Sequence, residues 1–197
     1  MESKKGAIIA ISAPSGTGKT TIVRRILKDF PEIVFSVSAT TRQRRENEVD
    51  GADYYFISEE EFKNKIENNE FVEWELFYDY YYGTFKSFID KHVSAGKPVI
   101  LEVDVKGALE IKRIYPEAIL VYIAPPSVEE LIIRLKKRKT ENDEELRKRI
   151  ERAKMELSHK DKFDYFVVNK ELNTAYREMK ILIDKLIDRS NHGNNPG

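Results

Sequence analysis

Short, almost purely apolar runs alternate along this chain with longer runs in which apolar residues recur every three or four positions. Ala7 to Ile11, Val99 to Val103, Ile119 to Ala124 and Tyr165 to Val168 read as strands buried on both faces. Helical spacing predicts helices over Lys19 to Lys28, Phe85 to Ser94, Val128 to Lys137, Glu144 to Leu157 and Thr174 to Asp188. Two helix starts carry a Ser followed three residues later by Glu: Ser58 with Glu61, and Ser127 with Glu130. Strand–helix alternation of this kind predicts an α/β fold with a mainly parallel sheet flanked by helices.

Two stretches break the rhythm. Residues 36–84 hold most of the tyrosines, the single Trp, an arginine cluster and short strand-like runs, which predicts a lobe inserted between core elements. Residues 136–154 are dense in charge and poor in apolar anchors before Leu146, which predicts a solvated helical hairpin. The expected division is a core of about 1–35, 85–135 and 160–190, a lobe of about 36–84, a lid of about 136–159, and a loose tail over 191–197.

Composition narrows the function classes. The 197 residues suit one domain with inserted lobes, and 41% hydrophobic residues suffice for a core. Thirty-four basic residues balance 34 acidic ones, so no basic excess points to nucleic acid or an anionic membrane as partner. With no Cys, thiol catalysis, disulfides and Cys-ligated zinc are excluded. The apolar runs are strand-sized, and the first residues lack the apolar stretch of a secretory signal, so a soluble, cytoplasmic protein is expected. His92, His159 and His192 stand in no arrangement suited to metal or triad chemistry.

The strongest chemical pattern follows the first strand. Ala13-Pro14-Ser15-Gly16-Thr17-Gly18-Lys19-Thr20 fits a phosphate-binding loop with Ala in the first glycine position. Gly16 and Gly18 let backbone N–H groups turn inward around phosphate oxygens, and the following helix adds its positive end. Lys19 would reach the β- and γ-phosphates, and Thr20 would offer its hydroxyl to Mg²⁺. In the inserted stretch, Arg42, Arg45, Tyr54 and Tyr82 could converge on one dianionic phosphate. A solvated basic loop beside a small tyrosine-rich core would leave the same pattern.

The order of these motifs resembles the guanylate kinase family. The matching segments are 13–20, 36–56 with Thr40-Thr41-Arg42, 70–84 with Tyr82-Gly83-Thr84, 97–108, 124–135 with Pro125-Pro126-Ser127, and Asp164 to Asn169. The resemblance implies a P-loop kinase fold with a GMP-binding lobe and a helical lid, ATP as phosphoryl donor, GMP as acceptor and Mg²⁺ as cofactor. It implies that Arg42, Arg45, Tyr54 and Tyr82 hold the GMP phosphate, and that Ser38, Glu73, Thr84 and Asp104 surround the guanine and sugar. By the same resemblance the residues from Ala13 to Thr21 hold ATP and Asn169 approaches the adenine. Lys19 with the lid arginines Arg138 and Arg149 would stabilise the transferring group, and Glu102 would orient the Mg²⁺ beside Thr20 through water. The chain departs from the usual family pattern at Ala13, at Glu102 (where Asp is usual), at Lys139 (where Gly is common) and at Lys170 (where an acid is common). A non-catalytic binding module of the same shape and a P-loop kinase for another nucleoside monophosphate are the alternatives. Intact Gly16, Gly18, Lys19 and Thr20 weigh against the first, and Glu73 beside the arginine loop against the second.

Overall fold

The computed structural model describes residues 5–77, 79–137 and 143–192. Five parallel strands form the body in the order β2 (Val34–Ser36), β7 (Val99–Glu102), β1 (Ile8–Ser12), β8 (Ile119–Ala124) and β9 (Tyr165–Val168). β1 lies at the centre, with Ile9 facing Ile100 of β7 and Ile119 of β8. Every residue of β1 is buried, because helices cover both faces and neither side of the strand meets water.

The two faces sort by parity. Ile9 and Ile11 pack with Ile22, Val23 and Ile26 of α1 (Lys19–Asp29) and with Met179 and Ile183 of α7 (Leu172–His192). Ile8 and Ala10 pack with Ile89 and Val93 of α3 (Lys86–Ser94) and with Ala108 and Ile111 of α4 (Val105–Ile114). Successive side chains of a strand point to opposite faces, so one five-residue strand seeds both halves of the core.

The inserted stretch forms its own four-stranded sheet, ordered β4 (Tyr55–Phe56), β3 (Ala39–Thr40), β6 (Tyr80–Phe85) and β5 (Phe71–Phe77), with α2 (Glu59–Glu67) against it. Its core is Phe62, Phe71 and Ala39, with the Phe62 and Phe71 rings stacked at 4.4 Å. Gly83 is needed there, since a Cβ would stand 2.9 Å from the Phe62 ring. Ser58 caps α2 by accepting from the Glu61 N–H at 3.1 Å, and Ser127 accepts from the Glu130 N–H at 3.1 Å, as the sequence spacing predicts.

Helices α5 (Val128–Lys137) and α6 (Asp143–Ser158) pair through Leu131, Leu135 and Ala153. Leu146, Ile150 and Leu157 pack against this cluster, so α6 contributes apolar anchors to the charged hairpin along most of its length. Arg138 and Lys139 lie outside the described residues, as do 193–197; residues 191 and 192, expected in the tail, belong to α7, which runs to His192. Among the described residues no helix is long and apolar enough to cross a membrane.

Candidate active site

The phosphate loop leaves the carboxyl end of the central strand β1 and enters α1. Gly16 and Gly18 both take the left-handed region, with φ of 87° and 88°, as inward-facing N–H groups require. Ala13 is buried among the β1–α1 core residues and has no positive φ, so its methyl is accommodated without strain. Thr17 closes the loop on itself, its hydroxyl donating to the Pro14 carbonyl at 2.7 Å.

Lys19 donates from Nζ to the Val103 carbonyl at 2.7 Å, across the cleft end of β7. Thr20 donates its hydroxyl to Glu102 Oε1 at 2.5 Å, and Lys19 Nζ stands 4.0 Å from the same oxygen. The longer side chain of Glu102 therefore reaches the threonine hydroxyl. A hydroxyl and a carboxylate oxygen side by side form a hard-oxygen pair suited to Mg²⁺, which takes few protein ligands and shares the rest with phosphates and water. Among the described residues no group of three or more His, Asp or Glu side chains stands together as a metal site.

Asn169 reaches the loop rather than the cleft. Its Nδ2 donates to the Thr17 carbonyl at 2.6 Å, and a Cβ on Gly18 would stand 2.9 Å from that nitrogen. Arg134 on α5 secures the segment, donating to the carbonyls of Asn169 at 3.0 Å and Lys170 at 3.3 Å. The Lys170 departure thus falls on a residue whose backbone carbonyl makes the contact.

Across the cleft stand β5 and β6 of the smaller sheet. Glu73, on the inner face of β5, accepts the Thr84 hydroxyl at 2.5 Å. Gly107, in the first turn of α4, passes so close that a Cβ would stand 2.8 Å from Glu73 Oε2. Asp104 caps that helix, accepting the Gly107 N–H at 2.7 Å. Burial pushes the Glu73 carboxyl up to about 7; the Thr84 hydroxyl draws it back, and the neighbouring charges of Asp104 and Glu75 raise it further. Burial likewise raises Glu75 and Glu156 above the usual carboxylate range.

Arg45, Tyr54, Tyr82 and Ser38 line the same cleft, with the Tyr54 and Tyr82 rings edge to face at 6.0 Å. Arg42 stands behind them. Its two terminal nitrogens fork onto Glu48 at 3.0 and 2.7 Å, and its guanidinium lies 5.5 Å from the Tyr54 ring centroid. The bond to Glu48 raises Arg42 above its ordinary pKa and holds Glu48 below its own. Glu48 has no distinguishing mark in the sequence; its role follows from a loop that returns it to Arg42 six residues on.

One cleft of about 720 Å³ takes in the phosphate loop from Ala13 to Thr21, the carboxylates Glu73 and Asp104, and the Arg45–Tyr54–Tyr82 cluster. Arg149, Arg152 and Glu156 face it from α6. A phosphate cradle at the end of a central parallel strand, opposite a second site on its own small sheet, defines a P-loop nucleotide phosphotransferase.

The comparisons make the class specific. The guanylate kinase family model matches residues 5–186, and the chain belongs to that family. It is 46% identical to the guanylate kinase of Caldanaerobacter subterraneus subsp. tengcongensis over 180 residues, covering 91% of this chain and 87% of that protein. It is 47% identical to the guanylate kinase of Thermotoga maritima over 171 residues, covering 87% and 83%. The crystal structure of guanylate kinase from Anaplasma phagocytophilum superposes with a TM-score of 0.76 at 28% identity, covering 95% of this chain and 89% of that one.

Proposed function

We propose that this protein transfers the γ-phosphoryl group of ATP to the phosphate of GMP, giving ADP and GDP. The observation that carries the reading is a single cleft holding both a phosphate loop and a carboxylate pocket built for a donor edge. Guanine presents N1–H and the exocyclic amine together, and the Glu73 carboxylate can accept from both. Adenine lacks both donors on that edge and would leave the carboxylate unpaired.

The acceptor is an ionised phosphate and needs no general base, only positioning and charge neutralisation. Arg45, Tyr54 and Tyr82 hold that phosphate, with Arg42 backed by Glu48 behind them. Ser38 and Asp104 border the base and sugar. The loop from Ala13 to Thr21 cradles the ATP phosphates, Asn169 keeps the loop in shape, and Lys19 follows the charge that develops on the transferring group. Thr20, with Glu102 through water, would hold Mg²⁺, which would draw charge from the transferring phosphates. The core, a lobe of about 36–84 and a lid of about 136–159 act as three parts, with Arg138 and Arg149 closing from the lid. Soluble nucleotide substrates and a chain without cysteine fit the cytoplasm.

An ADP-release assay with ATP and GMP, AMP, CMP or UMP tests the reading. GMP should be preferred by several orders of magnitude, up to about 10⁴-fold. Comparable rates with AMP would refute it.

A further inference from the structure

Arg152, midway along α6, touches more parts of the cleft than the transfer itself calls for. Its Nη2 donates to Glu75 Oε2 at 2.6 Å and to Asp104 Oδ2 at 2.7 Å, and its Nε to Glu156 Oε1 at 2.9 Å. Its guanidinium carbon lies 4.2 Å from the centroid of the Phe77 ring. Glu75 and Phe77 belong to β5, Asp104 is the cap of α4, and Glu156 lies one turn along α6. One planar cation therefore fastens the lid helix to the acceptor lobe and to the core at once.

The place where it does so is the wall of the base pocket. Glu75 and Phe77 share the inner face of β5 with Glu73. Asp104 starts the helical turn whose Gly107 abuts the Glu73 carboxylate. Four carboxylates, Glu73, Glu75, Asp104 and Glu156, crowd this wall, and Arg152 pairs with three of them. Burial alone would lower the charge state of Arg152, but Glu75 and Glu156 more than offset it and hold the guanidinium ionised. Removing it would leave like charges facing one another in a partly desolvated pocket.

We propose that Arg152 is a positioning residue for the acceptor base: it seats α6 on β5 and on the cap of α4, so that closing the lid and shaping the guanine pocket are one event. This deepens the GMP-phosphorylating reading and rests on it. GMP entering beside Glu73 firms the wall on which α6 sits, and a seated α6 brings Arg149 over the cleft.

Two variants of the full chain test this. Arg152→Met keeps the apolar stem but removes the fork. Glu75→Ala removes the lobe anchor and leaves Arg152 with Asp104 and Glu156. Each should raise the KM for GMP about tenfold and leave the KM for ATP within about twofold. In hydrogen exchange, GMP should slow both 71–77 and 143–158 in the wild type, but only 71–77 in either variant. Glu75→Ala decides the matter if Arg152→Met does not fold. An unchanged KM for GMP, an equal rise in both KM values, or persistent GMP protection of 143–158 in a folded variant would overturn the proposal. Failure of the underlying reading would look different, as a wild-type protein that does not turn over GMP.

Discussion

Asn169 and Thr17 stand 152 residues apart in sequence, yet the amide Nδ2 of one donates to the backbone carbonyl of the other at 2.6 Å. Asn169 is buried at the end of an outer strand, so the far edge of the parallel sheet sets the shape of the phosphate loop at its centre. Asn169→Ala leaves the buried Thr17 carbonyl without that donor, at a cost of about 1–3 kcal/mol. The KM for ATP should rise about tenfold while that for GMP stays within about twofold. Steady-state kinetics with each substrate varied in turn checks this; equal changes in both would detach Asn169 from the donor side.

Lys19 bears on the chemical step. Lys19→Ala should fold normally, since the side chain serves no apolar cluster, but lose kcat by about 10²-fold or more through missing charge stabilisation. Circular dichroism with single-turnover kinetics separates the two effects. A variant keeping most of its rate would remove Lys19 from the mechanism.

Glu73 ties pH to both binding and stability. Its carboxyl, held near 7 when folded against about 4.5 when exposed, binds more protons in the native state between those values. Its stabilising contribution is therefore complete below 4.5 and is lost as pH rises through 7. Only the ionised form accepts both guanine donors, so the KM for GMP should rise as pH falls below about 7. Glu73→Gln should reverse the balance: a higher KM for GMP at pH 8, yet a ligand-free melting temperature several degrees above wild type there, with the gap largely closing by pH 5. Melting curves at the two pH values decide it, and a gap independent of pH would show that Glu73 is not the titrating group.

Gly107 offers a test by size alone. In an α-helix Ala is ordinarily preferred over Gly by about 1 kcal/mol. Here a methyl would stand 2.8 Å from Glu73 Oε2 and 3.1 Å from Asp104 Oδ1. Gly107→Ala should thus raise the KM for GMP severalfold without raising that for ATP. Unchanged GMP kinetics would mean that Glu73 Oε2 does not face the base.

What was legible beforehand follows from which physical rules act locally. The β1 run and its helical successor could be read because a strand covered on both faces leaves no polar positions, and the glycine spacing after it answers a demand of phosphate geometry. α2 and α5 showed their starts because a serine cap and its partner lie three residues apart. By contrast, α4 opens on Asp104 and carries Gly107 in its first turn, which weakens its helical pattern; Glu73, more than thirty residues away, explains that glycine. β2 is three residues long, too short to display a period. Glu48 and Arg152 escaped because their partners are set by tertiary return: Arg42 by a loop, and Glu75 and Asp104 by the crossing of α6 over the cleft. The spacing of Arg152 and Glu156 along one helix face was visible, but it fits any solvated ion pair equally well.

The phosphate loop and the second pocket share one cleft, so the phosphoryl group is expected to pass directly from one nucleotide to the other. A single turnover with enzyme in excess, ATP labelled at the γ-phosphate and saturating GMP, tests it most directly. The label should appear at the β-position of GDP, with little inorganic phosphate and none on the protein. Label released as inorganic phosphate or retained on a side chain would contradict it.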